Sequence, residues 1–115
     1  MLRSLLSLLL CLAVALLVLW PQPAWAAGVA ADGASLFESH CAGCHINGGN
    51  IIRRGQTLKR EALQRNGIAG PEMIAAIAAA GRGQMGGYGA VLGEGGADAV
   101  GVWVWQQAQA GWPRA

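Results

Sequence analysis

Cys41-Ala42-Gly43-Cys44-His45 is the stretch that decides how the chain folds. C-x-x-C-H is the attachment signature of a c-type haem. Two intervening residues put both sulfurs on one side of a single helical turn, where they can close as thioethers onto the haem vinyl groups. His45 then lies under the iron and can offer it an imidazole nitrogen. An iron that carries electrons needs a second strong axial ligand, and a His/Met pair is the known electron-transfer arrangement. Met85 is the candidate for that second position.

C-x-x-C has other readings, and each lacks something here. A zinc site would need a second Cys pair, and the only other histidine is His40. A thioredoxin-like pair needs a βαβ context, and the sequence offers no convincing strand. A disulfide across two residues would be a strained ring.

Outward from the motif, the N-terminus comes first. Arg3 is a short positive segment, Leu5 to Trp20 is a nearly unbroken apolar run, Pro21 and Pro23 break it, and Ala24-Trp25-Ala26 is an A-x-A site. That pattern is a secretory signal peptide, residues 1–26, removed in the mature protein. An uncleaved anchor is the rival, but the run is shorter than the ~20 residues a span prefers. No small residue precedes Cys11, which weakens a lipoprotein reading. The mature domain is then residues 27–115, with Cys41 and Cys44 as its only cysteines. Export agrees with haem attachment outside the cytoplasm.

The leader inflates the 54% hydrophobic content, and losing Arg3 lowers the formal charge from +2 to +1. Two haem propionates would make it slightly negative. Nothing in this balance argues for nucleic acid. A domain so small buries only about 60% of its unfolded surface, and a covalently held haem would supply the missing apolar core.

Asp32 to His40 reads as the first helix, with Asp32 as N-cap. Gly33 and Phe37 share its inner face. Gly33 permits a close crossing, Phe37 fills core, and His40 ends the helix as an exposed polar residue. Ile46 to Gln56 reads as loop, with Gly48, Gly49 and Asn50 early in it. It must supply a carbonyl for the second ring nitrogen of His45. Ile51 and Ile52 are expected at the haem. A short helix starts at Thr57-Leu58-Lys59-Arg60-Glu61-Ala62-Leu63 and ends near Asn66-Gly67. A third opens at Gly70-Pro71-Glu72, with Pro at its first position, and stops at Gly81.

Met73, a rival ligand, sits in that third helix and is expected to pack in the core. Met85 instead lies in Gly81-Arg82-Gly83-Gln84-Met85-Gly86-Gly87-Tyr88-Gly89, a loop whose backbone can approach a flat cofactor. The last helix, Ala97 to Ala108, carries Val100, Trp103, Val104 and Gln107 at helical spacing. Gly101 is unfavourable mid-helix by ~1 kcal/mol and implies close approach to the first helix. Trp103, Trp105 and Trp112 read as packing residues.

With these residues placed, the chain resembles the cytochrome c6 family over essentially all of the mature region. The resemblance rests on Gly33, Phe37, Cys41 to His45, Gly48, Asn50 and Thr57 to Leu63. It continues through Gly81, Gly83, Met85, Leu92, Val100, Val104, Gln107, Gly111 and Trp112. It implies an all-α class I cytochrome c fold, about four helices around one haem c held by Cys41 and Cys44, with His45 and Met85 on the iron. It implies a one-electron carrier, not an enzyme, in the thylakoid lumen or periplasm. Its partners would be transient and membrane-bound: cytochrome b6f, photosystem I or a terminal oxidase. A monomer without stable membrane insertion is expected.

Five departures point to a divergent, low-potential c6-like branch. Gly86 stands where the family has Pro, Tyr88 where it has Phe, and Arg53-Arg54 where it commonly has Asn-Pro. Val91 replaces a basic residue used toward photosystem I, and Ile77 replaces a Gln near the haem. Electrons should cross at an edge rimmed by Ala42, Gly43, Ile46, Gly86 and Gly87. Arg53, Arg54, Lys59, Arg60 and Arg65 form the one basic concentration. The alternative function is a haem sensor or small peroxidase with a labile sixth position, for which Gly86 leaves room.

Overall fold

The computed structural model describes residues 1–19 and 25–114, with side chains of residues 25–31 excluded. Trp20, Pro21, Pro23 and Ala24, on which part of the leader reading falls, lie outside the described residues. Among those described there is no strand, only an isolated bridge between Arg82 and Met85. Six α-helices follow in order: α1 (Leu2–Val18), α2 (Trp25–His40), α3 (Arg60–Arg65), α4 (Pro71–Ala80), α5 (Gly89–Leu92) and α6 (Gly96–Ala110). Two 3-10 turns, Ile46–Gly48 and Arg54–Gln56, punctuate the segment between α2 and α3.

α1 covers the apolar N-terminal run and buries none of its residues. No helix among the described residues is long and apolar enough to cross a membrane. α2 starts at Trp25, so Asp32 is a helix-interior residue and not the cap expected from the sequence. The stretch before Asp32 sets Ala26, Ala27, Ala30 and Ala31 against the single Gly28 and holds no Pro, and Ala is the best helix former. Trp25 and Ala26, from the A-x-A pattern of the sequence, thus fall in the first turn of this helix.

α4 begins as its sequence dictates. Pro71 occupies the first turn, where a missing N–H costs nothing, and Gly81 ends the helix at φ 83°. α6 stops at Gly111, φ 81°, whose N–H bonds back to Ala108 and Gln107. α5, four residues long, was not anticipated; it caps Leu92 onto the core.

α6 packs against both α2 and α4. The core between them holds Phe37, Leu63, Ile68, Ile74, Ala78, Leu92, Val100 and Val104. Leu63 and Val104 are about 1% exposed, and each fully buried side chain of this size contributes about 1.5–3 kcal/mol. Two glycines set the crossings. A Cβ on Gly33 would strike the Ala99 carbonyl and Trp103, which fixes the α2/α6 contact. A Cβ on Gly101 would strike Pro71 and Ala75. Gly101 therefore serves the α6/α4 contact and not the approach to the first helix that its sequence position implied.

Candidate haem-binding site

α2 delivers the attachment motif. The Phe37 carbonyl accepts from Cys41 N at 2.8 Å and Ala42 N at 2.9 Å, and the Cys41 carbonyl then accepts from Cys44 N at 3.2 Å and His45 N at 2.9 Å. The helix is thus wound tight and released within five residues. Cys41 is half-buried and Cys44 exposed. Burial pushes the Cys41 thiol above its usual pKa, and neighbouring Cys44 adds to the rise.

His45 Nδ1 lies 2.8 Å from the Gly49 carbonyl oxygen. A carbonyl only accepts, so the ring proton belongs on Nδ1 and Nε2 is left as a donor to metal. Gly49 is placed by a compact loop. Gly48 N donates to His45 O at 3.0 Å, Gly49 N to Ile46 O at 2.9 Å, and Ile51 N to Cys44 O at 3.1 Å. Asn47 and Gly48 both have positive φ, 51° and 75°. Asn50 closes the loop beyond, its Oδ1 accepting from Ile52 N and Arg53 N, its Nδ2 donating to Gln56 O.

Met85 arrives from the other side of the sequence. Arg82 N donates to Met85 O at 2.9 Å and Met85 N to Arg82 O at 3.1 Å, a tight turn with Gly83 at φ 59°. Gly87 presses against the end of α4, where a Cβ would meet the backbone of Ala79 and Ala80. Arg53 Nε donates to Gln84 Oε1 at 3.4 Å, joining the two loops.

Cys41, Cys44, His45 and Met85 all line one cavity of about 360 Å³. Its walls include Phe37, Leu58, Ile68, Ile74, Ile77 and Val104, and its polar lining includes Arg53, Gln56, Asn66 and Arg82. Among the described residues no three His, Cys, Asp or Glu side chains gather as a metal cage. The donor set is two thiols, one imidazole and one thioether around an apolar hollow. It fits iron held in a porphyrin, where protein supplies only axial donors and tethers.

Several expectations change. Met73 is 39% exposed and not core; its sulfur accepts from Ala69 N at 3.3 Å, and it does not line the cavity. Ile52 lines it, while Ile51 does not and is 66% exposed. His40 is half-buried and lines the cavity, where the sequence suggested an exposed helix end. The structure puts Tyr88 of the Met85 loop on the lining and adds Asn66 and Gln56; no motif marks the last two, because only chain folding brings them there.

The chain is similar to several known proteins. Residues 28–104 match the family model described as cytochrome c oxidase, cbb3-type, subunit III. The chain is 43% identical over 81 residues to a cytochrome c6-like protein of Nostoc sp. strain PCC 7120, covering 70% of this chain and 73% of that one. It is 34% identical over 110 residues to a cytochrome c6 of Synechococcus sp. strain PCC 6312, covering 96% and 97%. Among solved structures, cytochrome c6B of Synechococcus sp. WH8102 superposes with TM-score 0.70 at 56% identity, over 73% of this chain and 96% of that one. Cytochrome c6C of Synechococcus sp. PCC 7002 gives 0.66 at 48%, over 69% and 96%.

Proposed function

Because the chain belongs to the cytochrome c6 family, we propose that Cys41 and Cys44 tether its haem and that His45 and Met85 ligate the iron. The family binds a covalent c-type haem and carries electrons in photosynthetic transport. When bound, that group supplies one electron's worth of redox capacity between ferrous and ferric iron. The chain's own residues do the rest. The two cysteines, just beyond the end of α2, would tether the group covalently. Gly49 O accepts a hydrogen bond from His45 Nδ1–H, fixing the imidazole plane and enriching the ring for bonding through Nε2. Phe37, Leu58, Ile74 and Val104 exclude water, which keeps reorganisation small.

The observation that carries this reading is the convergence of all four donors on one apolar cavity. Met85 is backbone-tied to Arg82 on that cavity, so a labile sixth position, as a sensor or peroxidase needs, is not favoured. We assign residues 1–26 to a cleaved leader and 27–115 to the working domain, exported to the thylakoid lumen or periplasm as a monomer.

Partners are redox complexes of the membrane, with cytochrome b6f as donor and photosystem I or a terminal oxidase as acceptor. Arg53, Arg54, Lys59, Arg60 and Arg65 are all exposed. Among the described residues Arg60 pairs with Glu61 at 3.9 Å and Arg53 bonds Gln84, and this exposed basic surface suits an acidic partner. Docking by such a carrier buries less than about 1,200 Å².

The test is intact mass with an optical spectrum of exported protein. The expected mass is the chain from Ala27 plus one haem. The oxidised form should show the red-edge Met–iron charge-transfer band and titrate with one electron. Free thiols in exported holoprotein would overturn the assignment.

A further inference from the structure

Trp112 lies far from the attachment motif in sequence, yet it touches the loop that holds His45. Its backbone is left-handed at φ 55°, a conformation bulky residues avoid. That geometry swings the ring inward and is held by Trp112 N donating to Gln107 O at 2.8 Å. The indole covers Gly48 so closely that a Cβ there would run into the ring. Indole Nε1 donates to the Leu58 carbonyl at 3.0 Å, and Leu58 N donates to Gly48 O at 2.8 Å. Trp112 also packs against Phe37, the ring centroids 5.5 Å apart and the planes tilted by 43°. The ring therefore clamps both ends of the segment from Gly48 to Leu58. The next residue after Gly48 is Gly49, whose carbonyl accepts a hydrogen bond from His45 Nδ1–H.

We propose that Trp112 is a positioning residue for the haem ligand: through Gly48 and Leu58 it holds the Gly49 carbonyl on His45 Nδ1 and thereby tunes the electron affinity of the centre. The inference rests on the assignment of His45 as an iron ligand. A strong Nδ1–H···O=C bond makes the ring more electron-rich, which favours ferric over ferrous iron and lowers the midpoint potential. Releasing the clamp lets the carbonyl move, weakens that bond and raises the potential. Strain at a special φ persists only where surrounding contacts over-determine it; here Gln107, Trp103 and Phe37 seat the residue on α6 and α2, and Gly48 and the Leu58 carbonyl tie it to the ligand loop.

The test uses holoprotein carrying Trp112→Phe, which keeps a ring over Gly48 but loses the Nε1 donor, and Trp112→Leu, which loses both. Potentiometric titration should give a raised potential in both, larger for Trp112→Leu. The ferrous/ferric ratio at fixed applied potential should rise about threefold in that variant, a fraction of the 59 mV that a tenfold change represents. Proton NMR of the ferrous form should show the His45 Nδ1–H resonance moving upfield and exchanging faster. The Met85 charge-transfer band should persist in both. Unchanged potential and an unchanged Nδ1–H resonance, with only a lowered melting temperature, would make Trp112 a packing residue and overturn the proposal. Trp112→Phe decides alone if Trp112→Leu fails to fold. A wild-type protein lacking the His/Met spectrum would instead overturn the ligand assignment, a failure read before any variant is made.

Discussion

The loop carrying His45 and the loop carrying Met85 line the same cavity but are built differently. Between Cys44 and Leu58, backbone bonds close at Gly48, Gly49, Ile51 and Leu58, Asn50 adds three side-chain bonds, and Trp112 lies on top. Between Gly81 and Tyr88 there are the paired Arg82–Met85 bonds and Tyr88 N to Ala78 O at 2.8 Å. One exposed side-chain bond, Arg53 to Gln84, adds to these. The reason is chemical. An imidazole has a second nitrogen whose bond sets the plane and basicity of the ligand, so its surroundings must be rigid. A thioether has no such handle, so its loop need only bring sulfur within reach. Ligand exchange should therefore begin on the Met85 side, and electronic tuning should act through His45.

The largest break in this comparison is Met85→Ala. Loss of the thioether should abolish the charge-transfer band and let carbon monoxide bind the ferrous form, whereas Met73→Leu, at an exposed site, should change neither. The reverse pattern would mean the wrong methionine was chosen.

Next comes the same substitution made on both loops. Gly48→Ala must bear a positive φ of 75° and displace the Trp112 ring, a cost of about 2–4 kcal/mol. Gly83→Ala bears a positive φ of 59° but meets open space, so it should cost about 1–2 kcal/mol. Denaturant midpoints at constant m-value would measure both. Equal costs would mean that the two loops are equally constrained.

A smaller effect concerns the cavity wall. Ile77 is half-buried and lines the cavity, where the resembling family carries a Gln. A restored amide dipole that stabilises the ferrous state is worth about 1.5–3 kcal/mol. Ile77→Gln should then raise the midpoint potential by about 60–130 mV, at 59 mV per tenfold change. Ile77→Leu controls for volume. A potential that stays put or falls would show that apolar burial dominates.

The smallest effect is at the surface. Val91 is 60% exposed on α5. Val91→Arg should speed photosystem I reduction severalfold at low salt, on the order expected for one steering charge, and lose the gain at high salt. No change at low salt would leave docking to the Arg53–Arg65 surface.

Much of the helical frame was legible because its signals are local. Pro71 and Gly81 bound α4 by what each does to its own φ, whereas the last helix, expected to end at Ala108, runs on to Ala110 before Gly111 stops it. Asp32 misled because capping is a choice among neighbours, and the Ala-rich residues before it carry the helix back to Trp25. Met73 and Ile51 misled because apolar character says nothing about which face of a turn meets the core.

What the sequence determined by itself is the chemistry of the centre. Two thiols and an imidazole at fixed short spacing need only one turn of helix to converge, and that turn follows from the chain's own backbone bonds. Tertiary structure decided which glycine serves which helix crossing, Gly33 for α6 and Gly101 for α4. It also decided which carbonyl accepts the hydrogen bond from His45 Nδ1–H. Gly49 holds that role in a loop closed by Leu58 and covered by Trp112. Contacts between residues this far apart depend on how α2, α4 and α6 are packed, and no local spacing encodes that.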